Sequence, residues 1–143
     1  MKNRSNKLIK RLALFAGQII ATTVLVLVIE ILFVDGMFLT GVPAVDDVER
    51  AVIEYPAISA QSVEVTDREK IELAVKLTGF LDYNVFGEAN ESGTPLVTIT
   101  YYLSDGRELS VAANNDTVWW KGRARLLKDD ETFVNLTRGI FFG

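Results

Sequence analysis

The 143-residue chain contains no cysteine and no histidine. Without cysteine there is no disulfide, no thiolate nucleophile, no thiolate zinc site and no lipidated cysteine to serve as an anchor. Without histidine there is no imidazole base and no catalytic triad built around one. There is also no phosphate-cradling glycine loop and no GxSxG elbow. The acidic clusters Asp46-Asp47-Glu49 and Asp129-Asp130-Glu131 lack the spaced acids and central glycine of an EF-hand loop. The second of them suits a helix start. The sequence therefore predicts no metal, no cofactor and no enzymatic activity, leaving only a carboxylate-, Ser-, Lys- or Tyr-based enzyme as a minor alternative.

What the chain does have is an uneven distribution of charge. Residues 1–11 carry Lys2, Arg4, Lys7, Lys10 and Arg11 with no acid, whereas everything after Val34 holds 10 basic and 18 acidic side chains, a net of −8. Lys and Arg beside an apolar run resist translocation, which predicts a cytoplasmic basic flank (1–11) and an acidic domain on the other side of the membrane. A net charge of that sign also argues against nucleic acid as a partner.

Between Arg11 and Asp35 lie 23 residues interrupted only by Gln18 and Glu30 among strongly polar side chains. At about 1.5 Å per residue this segment is long enough for a roughly 30 Å hydrocarbon core, and longer than the apolar region of a cleaved signal peptide. The expectation is a retained single-pass transmembrane helix over 12–34, with the lipid bilayer as its first partner. Ala13, Gly17 and Ala21 recur every fourth residue, a small-residue stripe that admits close helix approach. Glu30 is an intramembrane acid that is costly unless it snorkels, protonates or pairs. Stripe and acid together name two ways for the helix to meet another membrane protein or a second copy of this chain.

Asp35 to Pro43 is expected to be a juxtamembrane linker, with Met37, Phe38 and Leu39 resting at headgroup level and Gly36, Gly41 and Pro43 breaking any helix. An extracytoplasmic α+β domain follows over 44–143. Val48–Tyr55 fits either a helix, with Val48, Val52 and Tyr55 on one face, or a strand ended by Pro56, the strand being preferred, and a strand is predicted over Ser62–Val65. A helix from about Asp67 to Phe80 follows, started by a Thr66-Asp67-Arg68-Glu69 capping box, with Ile71, Ala74, Val75, Leu77, Phe80 and Leu81 on its core face.

Asn84 to Pro95 has the composition of a loop. After it, Val97, Ile99, Tyr101 and Leu103 alternate with Thr98, Thr100 and Tyr102, the period of a strand with one buried face. Parity fixes the following turn. A three-residue Ser104-Asp105-Gly106 loop sets Tyr101 opposite Leu109 and Ile99 opposite Val111, whereas a two-residue loop would place polar residues on the buried face. Two more strands, Thr117–Lys121 and Ala124–Leu127, extend an antiparallel meander. A last helix through Arg138 is expected, capped by Asp129 or Asp130, packed through Phe133, Val134 and Leu136 and stopped by Gly139. The apolar end, Ile140-Phe141-Phe142, should dock on the domain or the membrane.

One segment departs from the acidic background. TVWWKGRARLLK (117–128) holds Trp119, Trp120, Lys121, Arg123, Arg125 and Lys128. Adjacent residues of a strand face opposite ways, so one tryptophan belongs to the core and the other is free for contact. The leading functional expectation is a membrane-anchored accessory or sensory module acting through protein contacts in or at the membrane. The alternative is a domain that binds a ligand, lipid headgroups or a cell-envelope polymer through the exposed Trp and the basic strand.

Overall fold

The computed structural model describes residues 2–129 and 131–143. Helix α1 spans Lys2–Glu30 and continues as one π-helical turn, Ile31–Asp35, ended by Gly36 at φ +81°. The basic flank is thus part of the same helix as the apolar run. No residue of its most apolar window is covered by the rest of the chain, and the helix is long and apolar enough to cross a membrane.

The remainder is α+β. Strands β1 (Met37–Phe38), β2 (Val48–Glu54) and β3 (Val63–Val65) precede helix α2 (Arg68–Gly79). Then come β4 (Asp82–Tyr83), β5 (Val97–Leu103), β6 (Glu108–Ala113), β7 (Thr117–Trp120), β8 (Arg123–Leu126) and helix α3 (Thr132–Phe141). Six strands form one antiparallel sheet in the order β3-β2-β5-β6-β7-β8, and β1 pairs with β4 in a separate two-stranded ladder. The last four strands of the sheet are the meander expected from the alternating pattern, and Val48–Glu54 is indeed a strand.

Both helices lie over one face of the sheet. Ala51, Ile53, Val97, Ile99, Tyr101, Val111, Ala113 and Val118 are fully buried there, with Ile71, Ala74 and Leu77 of α2 and Phe133 and Val134 of α3 packed against them. The predicted hairpin register holds: Tyr101 pairs with Leu109 and Ile99 with Val111, with Gly106 at φ +82° donating to the Leu103 carbonyl. A left-handed residue at the last loop position lets the chain reverse without splaying its strands, and glycine adopts it freely.

Several expectations need correction. The N-cap of α2 is Asp67, whose Oδ1 accepts from the Lys70 amide at 3.1 Å, so the short Asp side chain one residue closer to the helix displaces Thr66 from that role. Phe80 lies at the C-cap and turns out to solvent, while Thr78 takes a buried position because its hydroxyl meets the Tyr101 hydroxyl at 2.7 Å.

Helix α3 starts later than expected. Its N-cap is Glu131 in the left-handed region without a side-chain cap, so Asp129 does not cap it, and Asp130 lies outside the described residues. Gly139 does not stop α3, which continues to Phe141. A mid-helix glycine costs only about 1 kcal/mol, and continuing packs Phe141 and Phe142 against the core, with Phe142 edge-on to Tyr55. Leu136 is exposed rather than packed.

The stretch between helix and domain is the largest departure. Met37 and Phe38 pair with Tyr83 and Asp82, and Leu39 is buried in the core instead of resting at headgroup level. Hydrogen-bonding the backbone to β4 and burying an apolar side chain both favour this over an open linker. Gly36 is itself buried, and a Cβ there would sit 3.0 Å from the Tyr83 carbonyl oxygen.

Candidate functional site

The ladder between β6, β7 and β8 decides which of the singled-out side chains share a face. Trp120 pairs with Val111 and Arg123, and Val118 with Ala113 and Arg125, so these residues point to the helix-covered face. Trp119 pairs with Ala112 and Ala124 on the other face, which no helix covers. Trp120 is accordingly a core residue: it is buried, and its indole Nε1 donates to the Thr40 carbonyl at 3.0 Å, tying the end of β7 to the incoming chain. Burial and a satisfied N–H remove it from the contact residues.

Trp119 is half-exposed between two alanines, whose small side chains leave room beside the indole on both neighbouring strands. It borders an open groove at the sheet edge together with Glu91, Gly122, Arg123, Ala124 and Arg125.

The cations do not form a single patch. Lys121 and Gly122 make a two-residue turn, both at positive φ, and the Lys121 ammonium lies 5.5 Å from the Trp120 ring centroid, beside Gly41. Arg123 is exposed at the start of β8. Arg125 stacks its guanidinium over the Tyr83 ring at 4.2 Å, capping the inner edge of the sheet. Lys128 lies past the strand's other end, its Cβ and Cγ against Gly36 and its amide donating to the Asp82 carbonyl. At about 3.3 Å per residue, Arg123 and Lys128 are roughly 17 Å apart along the strand. Strand geometry disperses residues that are close in sequence, so the basic segment does not present all its charge to one ligand.

On α1, Ala13, Gly17 and Ala21 line a shallow apolar groove with Lys10, Leu14 and Gln18. Nothing lies within 4 Å of where a Gly17 Cβ would be. Glu30, exposed at the last position of α1, is on another face, since 13 residues at 100° each leave it about 220° around from Gly17.

The chain matches no family model, no curated protein and no solved structure. Function must therefore be argued from the residues alone.

Two further environments are perturbed. The Asp82 carboxyl is pushed above its ordinary value, first by desolvation and then by the neighbouring charges of Asp129 and Asp35. The Tyr101 phenol is pushed well up by burial, against a smaller opposing effect of the Thr78 hydroxyl. Among the described residues no group of three or more acids is arranged to hold a metal ion.

One feature escaped the sequence pattern. Phe38, Phe80 and Phe86 are exposed, and all three lie around the β1–β4 ladder where the chain leaves α1. The Phe86 ring meets that of Phe33, at the end of the apolar run, with centroids 5.2 Å apart. Phe80 resembles a core residue by helical period and Phe86 lies in a polar loop, so only the fold brings them together.

Proposed function

We propose that this is a single-pass membrane protein, N-terminus in the cytoplasm and α+β domain outside, working as a non-enzymatic accessory or sensory module through protein–protein contacts in or at the membrane. The observation that carries the reading is the state of α1: its apolar window has no part of the chain against it. Such a surface is buried elsewhere, in lipid and against other helices. The domain adds support from the other side. Among the described residues, every buried side-chain nitrogen and oxygen already has a hydrogen-bond partner within the domain.

Cross-linking in native membranes, followed by mass spectrometry of the adducts, tests this. Gly17→Leu should remove adducts that depend on close helix packing, and Glu30→Ala those that depend on an intramembrane ion pair. Identical adducts from both variants and the wild type would leave α1 a plain tether and refute the helix-borne part.

The second reading, recognition of an envelope polymer, headgroup or other ligand, has one specific observation behind it: the half-exposed Trp119, on the face no helix covers and beside a groove at the sheet edge. An exposed indole between two small side chains suits the apolar face of a sugar ring or another flat ligand. Loss of binding to isolated wall polymer or anionic vesicles on Trp119→Ala, with cross-links retained, would favour it over the first.

A further inference from the structure

The exposed phenylalanines of the domain are not scattered. Phe133 is buried and Phe141 and Phe142 are half-buried against the core, whereas Phe38, Phe80 and Phe86 are 59%, 75% and 67% exposed. Leaving a phenylalanine ring in water is unfavourable relative to burying it. Rings left out along one short stretch, Phe38 opposite Asp82, Phe80 two residues before it and Phe86 three residues after Tyr83, mark a surface that meets something apolar.

Their position says what. Phe33 belongs to the π turn that ends the apolar helix, and its ring contacts Phe86 at 5.2 Å, so Phe86 stands at the level of the last apolar turn. Phe38 is four residues beyond Val34, and a chain segment of that length reaches at most about 14 Å. Phe38 pairs with Asp82, and Phe80 precedes Asp82 by two residues. The path from helix to domain has no slack. Gly36 is buried against the Tyr83 carbonyl and the Lys128 side chain, and β1 is hydrogen-bonded to β4. A domain so attached cannot lift these rings far from wherever the apolar helix ends.

We infer that the domain sits directly on the outer leaflet, with Phe86 and Phe38 inserted at the boundary between headgroups and acyl chains and Phe80 shallower, at headgroup level. This rests on the membrane-spanning reading of α1. The contact is apolar in origin. Asp35, Asp82 and Asp129 lie close enough together for their charges to interact, while Lys128 is also at the exit, so no excess of positive charge there demands an anionic lipid. Phe86, near the start of the Asn84–Pro95 loop, then carries the contact beside Phe33, and α1 and the domain form one membrane-apposed unit.

The absence of cysteine allows single-cysteine variants of the full chain without background labelling. Phe86→Cys, Phe38→Cys, Phe80→Cys, Val24→Cys in the helix and Ser104→Cys in the hairpin at the opposite end of the strands would each carry an environment-sensitive fluorophore. They are reconstituted in phosphatidylcholine vesicles with and without lipids bearing a spin-label quencher high on the acyl chain. The expected result is strong quenching and a blue-shifted emission at positions 86 and 38, weaker quenching at 80, and a water-like, unquenched signal at 104.

Quenching at Val24 with water-like signals at 86 and 38 would overturn the inference while leaving the span intact. A blue shift at 86 and 38 without lipid quenching would also overturn it, because protein rather than lipid would then cover the rings. A water-like signal at Val24 would refute the spanning reading itself.

Discussion

The Tyr101 hydroxyl offers the sharpest test of the packing between sheet and helix. It donates to the Ala74 carbonyl at 2.7 Å and lies 2.7 Å from the Thr78 hydroxyl, all three groups being buried. With its own proton committed to Ala74, Tyr101 Oη accepts from Thr78 Oγ1. Tyr101→Phe removes both bonds and strands the Thr78 hydroxyl in an apolar setting, which should cost about 1–3 kcal/mol. Thr78→Val removes one of the two bonds and leaves Tyr101 bonded to Ala74, so about 0.5–1.5 kcal/mol is expected.

In the double variant no hydroxyl is stranded, and the Ala74 carbonyl keeps its ordinary helical partner. Its cost should fall short of the sum by about 1 kcal/mol. Urea unfolding of the full chain in detergent micelles, followed through tryptophan fluorescence, reads all four proteins. Additivity to within about 0.5 kcal/mol would refute the pairing of the two hydroxyls.

The same group sets a pH dependence. Burial raises the folded-state pKa of Tyr101 above its ordinary value of 10.0, so its stabilising contribution is complete below pH 10 and is lost as pH rises beyond that. The difference between wild type and Tyr101→Phe should shrink on going from pH 9 to alkaline conditions, and a constant difference would be contrary to this.

Other outcomes follow from single positions. Gly106→Val should cost about 1–3 kcal/mol, all of it conformational, since the φ of +82° disfavours a β-branched residue while nothing within 4 Å obstructs its Cβ; an unchanged melting temperature refutes this. Trp120→Ala should cost about 3–5 kcal/mol by opening the core and freeing the Thr40 carbonyl, and Trp119→Ala much less; equal unfolding midpoints would contradict their assignment to opposite faces. Asp82→Asn should raise the unfolding midpoint at pH 7, because desolvation and nearby acids disfavour the ionised form, and the gain should vanish below about pH 4, where the unfolded carboxyl is also protonated. A reporter active only in the cytoplasm, fused after Gly143, should be silent, and activity would reverse the proposed orientation.

The elements that could be read from the sequence are those whose signal is local. The alternation from Val97 to Leu103, together with Ser104-Asp105-Gly106, specifies both strand and register, because only one loop length keeps Leu109 and Val111 on the face of Tyr101. Helix α2 follows from its apolar period. Its boundary did not, since Thr66 and Asp67 are both competent caps and backbone geometry chooses between them. Phe80, expected on the core face, is exposed, and Thr78 is buried for a reason no period contains, a hydroxyl partner on a strand 23 residues away.

The candidate site was legible in part. Opposite facing of the two tryptophans follows from strand pleat alone. Which one is buried depends on Thr40 and on the helix-covered face, both remote in sequence. The dispersal of Lys121, Arg123, Arg125 and Lys128 likewise depends on where β8 starts and ends, whereas the one-dimensional cluster suggested a patch.

The junction between α1 and the domain bears on how either proposed activity would operate. A flexible tether would let the helix rotate or tilt without consequence for the sheet. Here Gly36 is packed under Lys128, Met37–Phe38 is paired to β4, Leu39 is in the core, and the Thr40 carbonyl holds Trp120 at the end of β7. Four consecutive attachments over Met37–Thr40 and the residue before them make the exit a stiff joint. Under the proposed function, a change in α1 packing by a partner at the Gly17 stripe or at Glu30 would therefore be expected to reach β4 and β7. The same strands carry the Arg125–Tyr83 stack and, on the uncovered face, Trp119. In that reading, helix contacts and sheet-edge contacts are ends of one mechanical unit, an arrangement the proposed sensory module would use and a simple anchor would not.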